Sequence, residues 1–458
     1  MRPGAPDQRS AATLVALALL IAALCNGASV YLKRTGLIDG DAYRAYWSIH
    51  CEHIGAGRAL AHARCCAHAT LEESAKRRSP AHGDLEDKAA RYLFEASNSE
   101  RALKLVKDLF GLVLIGFSAL LVANRVAQMP ALRDSWPVWP LVGYVAIAFL
   151  VSLLLNGTLV AAAGLRTFMF AMLALLGLWL APHLGVIARY LGALLVLQVL
   201  LIPFELFRGI HPYGEWSSLY LAERTIGTMV HPNTMGIFAV TALAFYYAFA
   251  PARAWLAALA VAALAAVFSS GSGTGIVCAV LLFFVVLNDR LGEGRRAVLA
   301  ISAVLACAAA VLALPVLSGR EWILGSIFDE RGRLGALVSV VAERGLVETL
   351  FGSGLGTGRI VALQLSDHAN LERLDPARLL ASRFTDSTIT GLVIEIGVLG
   401  AAMFYAALVW AGLRDRAARP FYWVVALCSL TINVTVLFPL NFLLGLAWAH
   451  SSWRGRRT

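Results

Sequence analysis

Long apolar segments follow one another along most of this chain, and they limit what it can fold into. Twelve segments are apolar enough to be spans: 11–32, 108–124, 138–155, 159–181, 186–207, 233–250, 254–270, 274–288, 297–317, 387–412, 421–436 and 438–451. Several are near the lower limit of ~17 residues for a transmembrane helix. Charged residues are 15% of the chain, whereas soluble domains carry about a quarter. The pattern predicts an all-α, polytopic bundle of about twelve transmembrane helices in a lipid bilayer.

The arginines of the short connections predict how these spans are oriented. Cytoplasmic loops carry an excess of Lys and Arg, whereas long translocated loops largely escape this bias. One orientation places the following arginines on the inner side: Arg2, Arg9, Arg125, Arg133, Arg189, Arg253, Arg290, Arg295, Arg296, Arg414, Arg416, Arg419, Arg454, Arg456 and Arg457. We therefore expect both termini in the cytoplasm. The net charge of +10 follows this distribution, so it does not indicate a nucleic-acid partner.

The same orientation predicts three external segments, 33–107, 208–232 and 318–386. It divides the chain into residues 1–125, which hold the first two spans and the helical insertion 33–107, and a core of residues 126–458. The long polar loop 318–386 belongs to the core, and loops of this length usually serve a function. The chemistry is therefore expected on the external side.

The first external segment contains a cluster of histidines and cysteines in residues 50–69. Cys51, Cys65 and Cys66 lie among four histidines, and thiolate and imidazole are the usual zinc ligands. The spacing matches no standard zinc finger, and the expected compartment is oxidising, which favours a disulfide from Cys51 to Cys65 or Cys66. Disulfide, free thiols and metal all stay open.

The second external segment contains Arg224 and then His231-Pro232-Asn233 at the start of an apolar run. Proline is favoured in the first turn of a helix, where its missing N–H costs nothing. The tripeptide therefore predicts a helix start, with Asn233 as a candidate cap. An arginine at this depth is either an interfacial anchor, which is the more common case, or a ligand for an anion.

The third external segment combines arginines with a glycine run. Apolar residues at helical spacing from Leu334 to Val347 predict a helix on the outer membrane surface. The glycines of 352–358 are either a turn that returns the chain to the membrane or a turn whose N–H groups face phosphate oxygens. Asp386 precedes the next span as a cap or as a base, and Glu395 lies inside that span, where an ionisable group is costly.

These motifs resemble the bacterial O-antigen ligase and polymerase superfamily of membrane glycan transferases over residues 220–415. The matching positions are Arg224, Gly227, Pro232, Asn233, Arg333 (or Arg331), Gly352, Gly354, Gly356, Gly358, Glu395, Gly397 and Gly400. The resemblance implies an inner-membrane enzyme that acts at its periplasmic face. Its donor would be a glycan on a polyprenyl diphosphate, and its acceptor another glycan.

The resemblance also implies roles for individual residues. Arg224 and Arg333 would hold the diphosphate, because guanidinium groups bind phosphate with paired hydrogen bonds. Asp386 would take the proton of the attacking hydroxyl, and no metal or cofactor is required. Further contacts with the substrate are expected from Arg331, His231, Asn233, Gly354, Gly356 and Glu395, with Glu395 needing a structural partner.

The chain departs from the ligase pattern at two places. Where ligases carry a histidine, this chain has Asp386 and Ser387, and where a Ser-Arg pair is frequent it has Ser270 and Gly271. The first departure favours a repeat-unit polymerase of surface polysaccharide, with ligation to lipid A-core as the alternative. A transporter or flippase for such lipids is a further alternative of another class, since twelve spans suit it equally well.

Overall fold

The computed structural model describes residues 8–34, 139–168, 179–208, 224–229, 231–250, 254–290, 296–318, 323–325, 333–342, 344–357 and 387–454, with scattered helical positions between 103 and 120. Within these ranges every regular element is a helix. The predicted all-α class is therefore confirmed for the part of the chain that the structure describes.

The α-helices of the described ranges are numbered here in chain order. They are α1 (Gln8–Arg34), α2 (Trp139–Asn156), α3 (Thr158–Leu165), α4 (Leu184–Arg208), α5 (Pro232–Phe249), α6 (Leu256–Ser270), α7 (Gly273–Arg290), α8 (Arg296–Ser318), α9 (Arg333–Ala342), α10 (Leu346–Phe351), α11 (Thr388–Arg414), α12 (Arg419–Ser429) and α13 (Leu440–Arg454). Short 3-10 helices cover Arg166–Phe168, Ala181–His183 and Gly227–Met229.

Five helical segments of the described ranges are long and apolar enough to cross a membrane. They are Gln8–Ser29, Trp139–Asn156, Ala181–Glu205, Ala297–Leu317 and Thr388–Arg414. Two shorter apolar helices, Leu256–Ser270 and Gly273–Asp289, accompany them. The chain is a membrane protein of helical type, while the count of twelve spans stays a prediction.

The predicted span 421–436 is wrong in its extent. Helix α12 ends at Ser429 after 11 residues, a length of ~16 Å against a hydrocarbon core of ~30 Å. Residues 430–439 form turns, in which Thr435 donates to the Asn433 side chain over 2.7 Å. Apolar composition predicted a continuous helix here, but these polar groups bond within the turns instead.

Helix α5 forms the centre of the bundle. Fourteen of its 18 residues are buried, because it packs against α4, α6, α7 and α12. Phe245 of this helix meets the ring of Phe421 of α12 edge-on at 5.4 Å. Helix α8 is peripheral by contrast, and Leu312 and Val316 are 73% and 85% exposed, as expected for side chains that face lipid.

The two ends of the bundle differ in chemistry. Helices α4, α6 and α12 end, and α5, α7 and α11 begin, at one end of the bundle, which we call the site end. There the hydroxyl of Thr274 on α7 lies 2.7 Å from the hydroxyl of Thr431, in the turns that follow α12. The opposite end carries most of the arginines of the described connections: Arg290, Arg296, Arg414, Arg416, Arg419 and Arg454. This segregation agrees with the arginine pattern in the sequence, and the side of the membrane for each end stays a prediction.

The histidine and cysteine cluster of residues 50–69 lies outside the described residues, so the predicted disulfide is not tested. Four cysteines that the structure does describe are free thiols: Cys25, Cys278, Cys307 and Cys428. Cys278 of α7 and Cys428 of α12 are fully buried, with their sulfur atoms 3.3 Å apart. They fill the contact between these two helices as small apolar side chains.

Candidate functional site

Arg224 is buried at the site end, with 7% of its surface exposed. Its Nε donates a hydrogen bond to the carbonyl oxygen of Ser270, and its Nη2 donates to Oδ1 of Asn233 over 2.7 Å. Hydrogen bonds made by a charged group are typically worth ~1.5–3 kcal/mol each. Together these two bonds fix the plane and the direction of the guanidinium group.

His231, and not Asn233, caps the helix that begins at this point. The helix start predicted at His231-Pro232-Asn233 is confirmed, since α5 begins at Pro232. The Nδ1 atom of His231 accepts from the backbone N–H of Asn233 over 3.0 Å. The predicted cap at Asn233 is wrong because α5 begins at Pro232, so Asn233 already lies in the first turn and His231 occupies the capping position. The side-chain oxygen of Asn233 accepts from Arg224 instead.

Ser270 and Gly271 close the cluster from α6. Gly271 ends this helix in the left-handed conformation at φ 55°, and a Cβ there would lie 3.2 Å from Arg224 Nε. Ser272 donates to the carbonyl of Asn233 over 3.3 Å. Gly271, where the sequence departs from the motif of the family that it resembles, thus lies against the Arg224 side chain. We call Arg224, His231, Asn233, Ser270, Gly271 and Ser272 the Arg224 cluster.

The start of α11 lies at the same end of the bundle. Ser387 is its N-cap and accepts from the N–H of Thr390 over 3.2 Å. Thr388 donates to the carbonyl of Ile432 over 2.8 Å and accepts from the N–H of Val434 over 2.8 Å. The interpretation of Asp386 as the cap is therefore wrong, because the next residue caps the helix. Asp386 itself lies outside the described residues.

A break in α11 occupies the E-x-G-x-x-G motif. Gly397 has φ 69° and ψ 179°, a conformation that is essentially restricted to glycine. The residues after the break no longer donate to all the carbonyls of the preceding turn, so other groups must satisfy these carbonyls. The N–H of Ser353 bonds to the carbonyl of Ile394 over 2.9 Å, and that of Gly354 to Glu395 over 3.1 Å.

Two side chains complete the hydrogen bonding of this break. The hydroxyl of Tyr144 on α2 donates to the carbonyl of Ile396 over 2.9 Å. Arg344, between α9 and α10, donates to the carbonyls of Val393 and Ile394 over 3.3 and 3.2 Å. A cation at the carboxyl end of a helix is also favoured by the helix dipole. Residues 388–396 therefore behave as a half-helix with a stabilised end.

The glycine run packs against helices. Residues 352–357, called the glycine turn here, lie against α2 and α11, and Leu355 donates its N–H to the hydroxyl of Ser152 over 2.6 Å. A Cβ on Gly356 would lie 2.2 Å from the carbonyl oxygen of Val160. Since the N–H of Gly354 bonds to Glu395, that N–H is already used within the protein. The contact of Gly354 and Gly356 with substrate stays a prediction.

The predicted site residues fall into three groups. Arg224, His231 and Asn233 come together in the Arg224 cluster. Glu395 is buried with 1% exposure and lies with Gly354 and Gly356 about two helical turns below the start of α11. Arg333 begins α9, as predicted, but its side chain lies outside the described part of the chain, as do Arg331 and Asp386.

Sequence reasoning gave no site role to four residues that shape the site. Tyr144 and Arg344 bond to the carbonyls at the break in α11, and Glu205 and Gln198 of α4 accept from the N–H groups of residues 226–228. Gln198 carried a usable signal, because it is a polar residue inside a long apolar run. Arg344 also carried one, as an arginine within the apolar pattern from Leu334 to Val347. The single helix predicted there is wrong in its extent, because α9 ends at Ala342 and α10 begins at Leu346. The tyrosine hydroxyl gave no signal, because its acceptor is a carbonyl 252 positions away.

The fold and the cluster together define an all-helical membrane protein with a buried cationic group at one end of its bundle. Within the described ranges no group of three His, Cys, Asp or Glu side chains is placed to hold a metal ion. No protein-family model, curated protein or solved structure matches this chain. The relationship to glycan transferases therefore remains a resemblance carried by the motifs.

Proposed function

We propose that this chain is a multi-pass transferase of the bacterial inner membrane that acts at the periplasmic face. Its donor is an oligosaccharide on undecaprenyl diphosphate, its acceptor is another glycan, and the product is a surface polysaccharide. Twelve spans and periplasmic segments at 33–107 and 318–386 belong to this proposal. The single observation that carries it is the Arg224 cluster, because a buried, oriented guanidinium suits a diphosphate group.

The position of the cluster supports an external site. The described connections at the opposite end hold Arg290, Arg296, Arg414 and Arg416, so the positive-inside rule assigns that end to the cytoplasm. The site end then faces the periplasm, where a lipid-linked glycan that has crossed the membrane is presented. Arginine there attracts the anionic headgroup and stays charged at any physiological pH.

In the proposed reaction the acceptor hydroxyl attacks the anomeric carbon, and the bond from that carbon to the diphosphate oxygen breaks. Arg224, joined by Arg333 or Arg331 from the loop, stabilises the negative charge that develops on the departing diphosphate. Asp386 takes the hydroxyl proton, as a general base does in inverting glycosyl chemistry. No metal ion takes part in these steps as we propose them.

Deleting the gene from its host and profiling the host's surface glycans tests the proposal in the cell. Loss of long chains with single repeat units still attached is expected, and plasmid-borne wild type should restore the chains while Arg224→Ala should not. Asp289→Asn, at the opposite end, is the matched control and should restore them fully.

Other outcomes of the same profile are equally decisive. Full-length glycan that accumulates on its lipid carrier without attachment indicates a ligase. Repeat units retained on the lipid at the cytoplasmic side indicate a flippase. Unchanged surface glycans in the deletion strain contradict the proposed function.

A further inference from the structure

Two polar side chains of α4 form hydrogen bonds with the backbone of the segment that follows Arg224. We infer that Glu205 and Gln198 are positioning residues: they hold the backbone of residues 226–228 and so set the place and direction of the Arg224 guanidinium. Neither residue belongs to the motifs that suggested the site. The inference rests on the proposed function, in which Arg224 meets a diphosphate.

Glu205 forms the stronger of these hydrogen bonds. Its side chain is 3% exposed, and its two oxygens accept from the N–H groups of Ile226 and Gly227, each over 2.7 Å. Bonds from N–H groups to a carboxylate are short and roughly twice as strong as neutral ones. A buried carboxylate needs such donors, because an unsatisfied charge in this environment is costly.

Gln198 forms hydrogen bonds with the next residue of the segment, Thr228. Its oxygen accepts from the N–H of Thr228 over 2.7 Å, and its nitrogen donates to the Thr228 hydroxyl over 2.9 Å. Residues seven apart share one face of a helix, so Gln198 and Glu205 both point towards the segment. Three successive backbone N–H groups, from Ile226 to Thr228, are thereby bonded to one helix.

Close packing prevents this segment from adopting an alternative position. Gly227 has φ 53°, and a Cβ there would lie 2.0 Å from the Gln198 oxygen. On the other side, a Cβ on Gly27 of α1 would lie 2.5 Å from Thr228. Residues 226–228, which begin two positions after Arg224, are therefore packed between α1 and α4. We call this packing, with the hydrogen bonds from Glu205 and Gln198, the clamp.

The clamp matters because the Arg224 guanidinium must already have the orientation that binds the diphosphate before this ligand arrives. Arg224 reaches Ser270 on α6 and Asn233 on α5, so a shift of its backbone would break contacts with two other helices. Positioning errors of about 1 Å can reduce rates by two orders of magnitude. Glu205 acts on the diphosphate through Arg224 and is not itself a catalytic residue.

A double-mutant cycle tests this role in the full-length protein reconstituted in nanodiscs. The probe is farnesyl diphosphate, and the readout is its Kd for wild type, Glu205→Gln, Arg224→Ala and the double variant. Glutamine has the same shape, but its amide nitrogen cannot accept a hydrogen bond, so one of the two N–H groups loses its acceptor. We expect Glu205→Gln to weaken binding about tenfold, which is ~1.4 kcal/mol, but to have almost no effect when Arg224 is already alanine.

Additive effects of the two substitutions, or an unchanged Kd for Glu205→Gln, contradict the positioning role. Asp289→Asn is the control for removal of a carboxylate elsewhere, and its Kd should equal that of wild type. Gln198→Leu provides a second variant should Glu205→Gln fail to fold, and it should show the same dependence on Arg224.

Hydrogen exchange separates this inference from the proposed function. The amides of residues 226–228 should be protected in wild type and should exchange faster in Glu205→Gln, with no ligand present. Equal exchange in the two proteins contradicts the clamp. A wild type that does not bind farnesyl diphosphate contradicts the proposed function instead, whatever the exchange result.

Discussion

At the scale of single residues, the site depends on how Arg224 is held. The oxygens of Ser270 and Asn233, both uncharged, accept hydrogen bonds from this side chain and orient its guanidinium group. A carboxylate in either position would pair with the guanidinium and compete with an anionic ligand. Asparagine at position 233 therefore orients the guanidinium without placing a negative charge of its own beside it.

Substitution of Asn233 tests this reasoning. Asn233→Asp keeps an oxygen where Oδ1 lies, 2.7 Å from Arg224 Nη2, but adds a negative charge beside the guanidinium. Two unit charges about 4 Å apart interact by about 4 kcal/mol at an effective dielectric of ~20. We expect the Kd for farnesyl diphosphate to rise at least tenfold, as measured in nanodiscs.

The uncharged variant Asn233→Ser is the control for the loss of the amide. It should bind the diphosphate better than Asn233→Asp, because it adds no charge. Tighter binding by Asn233→Asp than by wild type would show that Arg224 does not meet an anion.

The residues of the cluster were predictable to different degrees. Arg224 and Asn233 lie nine positions apart, and their motif indicated that they belong together. The contact of Arg224 with Ser270 and the role of Glu205 depend on how three helices pack, which local sequence patterns do not encode. That His231 is the cap follows from the start of α5 at Pro232, which places Asn233 inside the first helical turn.

At the scale of elements, the interruption of α11 is the feature that organises the rest of the site. Residues 388–396 form a half-helix that begins beside the polar turns 430–439 and ends at Gly397. Its last carbonyls are satisfied by the glycine turn, Tyr144 and Arg344. In membranes, irregular backbone is tolerated where protein groups satisfy it, and here they do so.

Gly397→Ala should destabilise the protein strongly. The backbone conformation at φ 69° and ψ 179° is strained for alanine, and the new Cβ would lie 2.2 Å from the carbonyl oxygen of Leu350. We expect a loss of at least about 2 kcal/mol, seen as a lower midpoint of thermal unfolding in detergent.

Gly143→Ala is the matched control, because it lies within α2 with open space around the added methyl group. Its stability should be unchanged or slightly higher, since alanine favours helices by ~1 kcal/mol over glycine. Equal midpoints for Gly397→Ala and wild type would contradict the structural role of the break.

The elements themselves were largely predictable, and the exceptions have physical reasons. Apolar runs gave most helices of the described ranges to within a few residues, because backbone groups in an apolar environment must bond within a helix. The run 421–436 failed, since Thr435 bonds to Asn433 within the turns and Thr431 bonds to Thr274 of α7. The interruption at Gly397 was invisible, because isolated glycines are common in membrane helices.

At the scale of the whole molecule, the two ends of the bundle differ in their charged residues and in the position of the site. The arginines of the described connections concentrate at one end, while the Arg224 cluster, the start of α11 and the hydroxyls of Thr274 and Thr431 occupy the other. A site near midplane would have favoured a transporter, in which substrates bind at the centre of the bilayer. A site at one end favours chemistry on a headgroup at the membrane surface.

Turnover by the purified protein is the most direct measurement of this claim. Wild type in nanodiscs, supplied with an undecaprenyl-diphosphate-linked oligosaccharide, should release undecaprenyl diphosphate and lengthen the glycan, as detected by mass spectrometry. Arg224→Ala should lower the rate at least a hundredfold, in line with the loss of a charge-stabilising donor, while Asp289→Asn should leave it unchanged. Absence of released diphosphate with wild type, or equal rates for wild type and Arg224→Ala, would contradict the account.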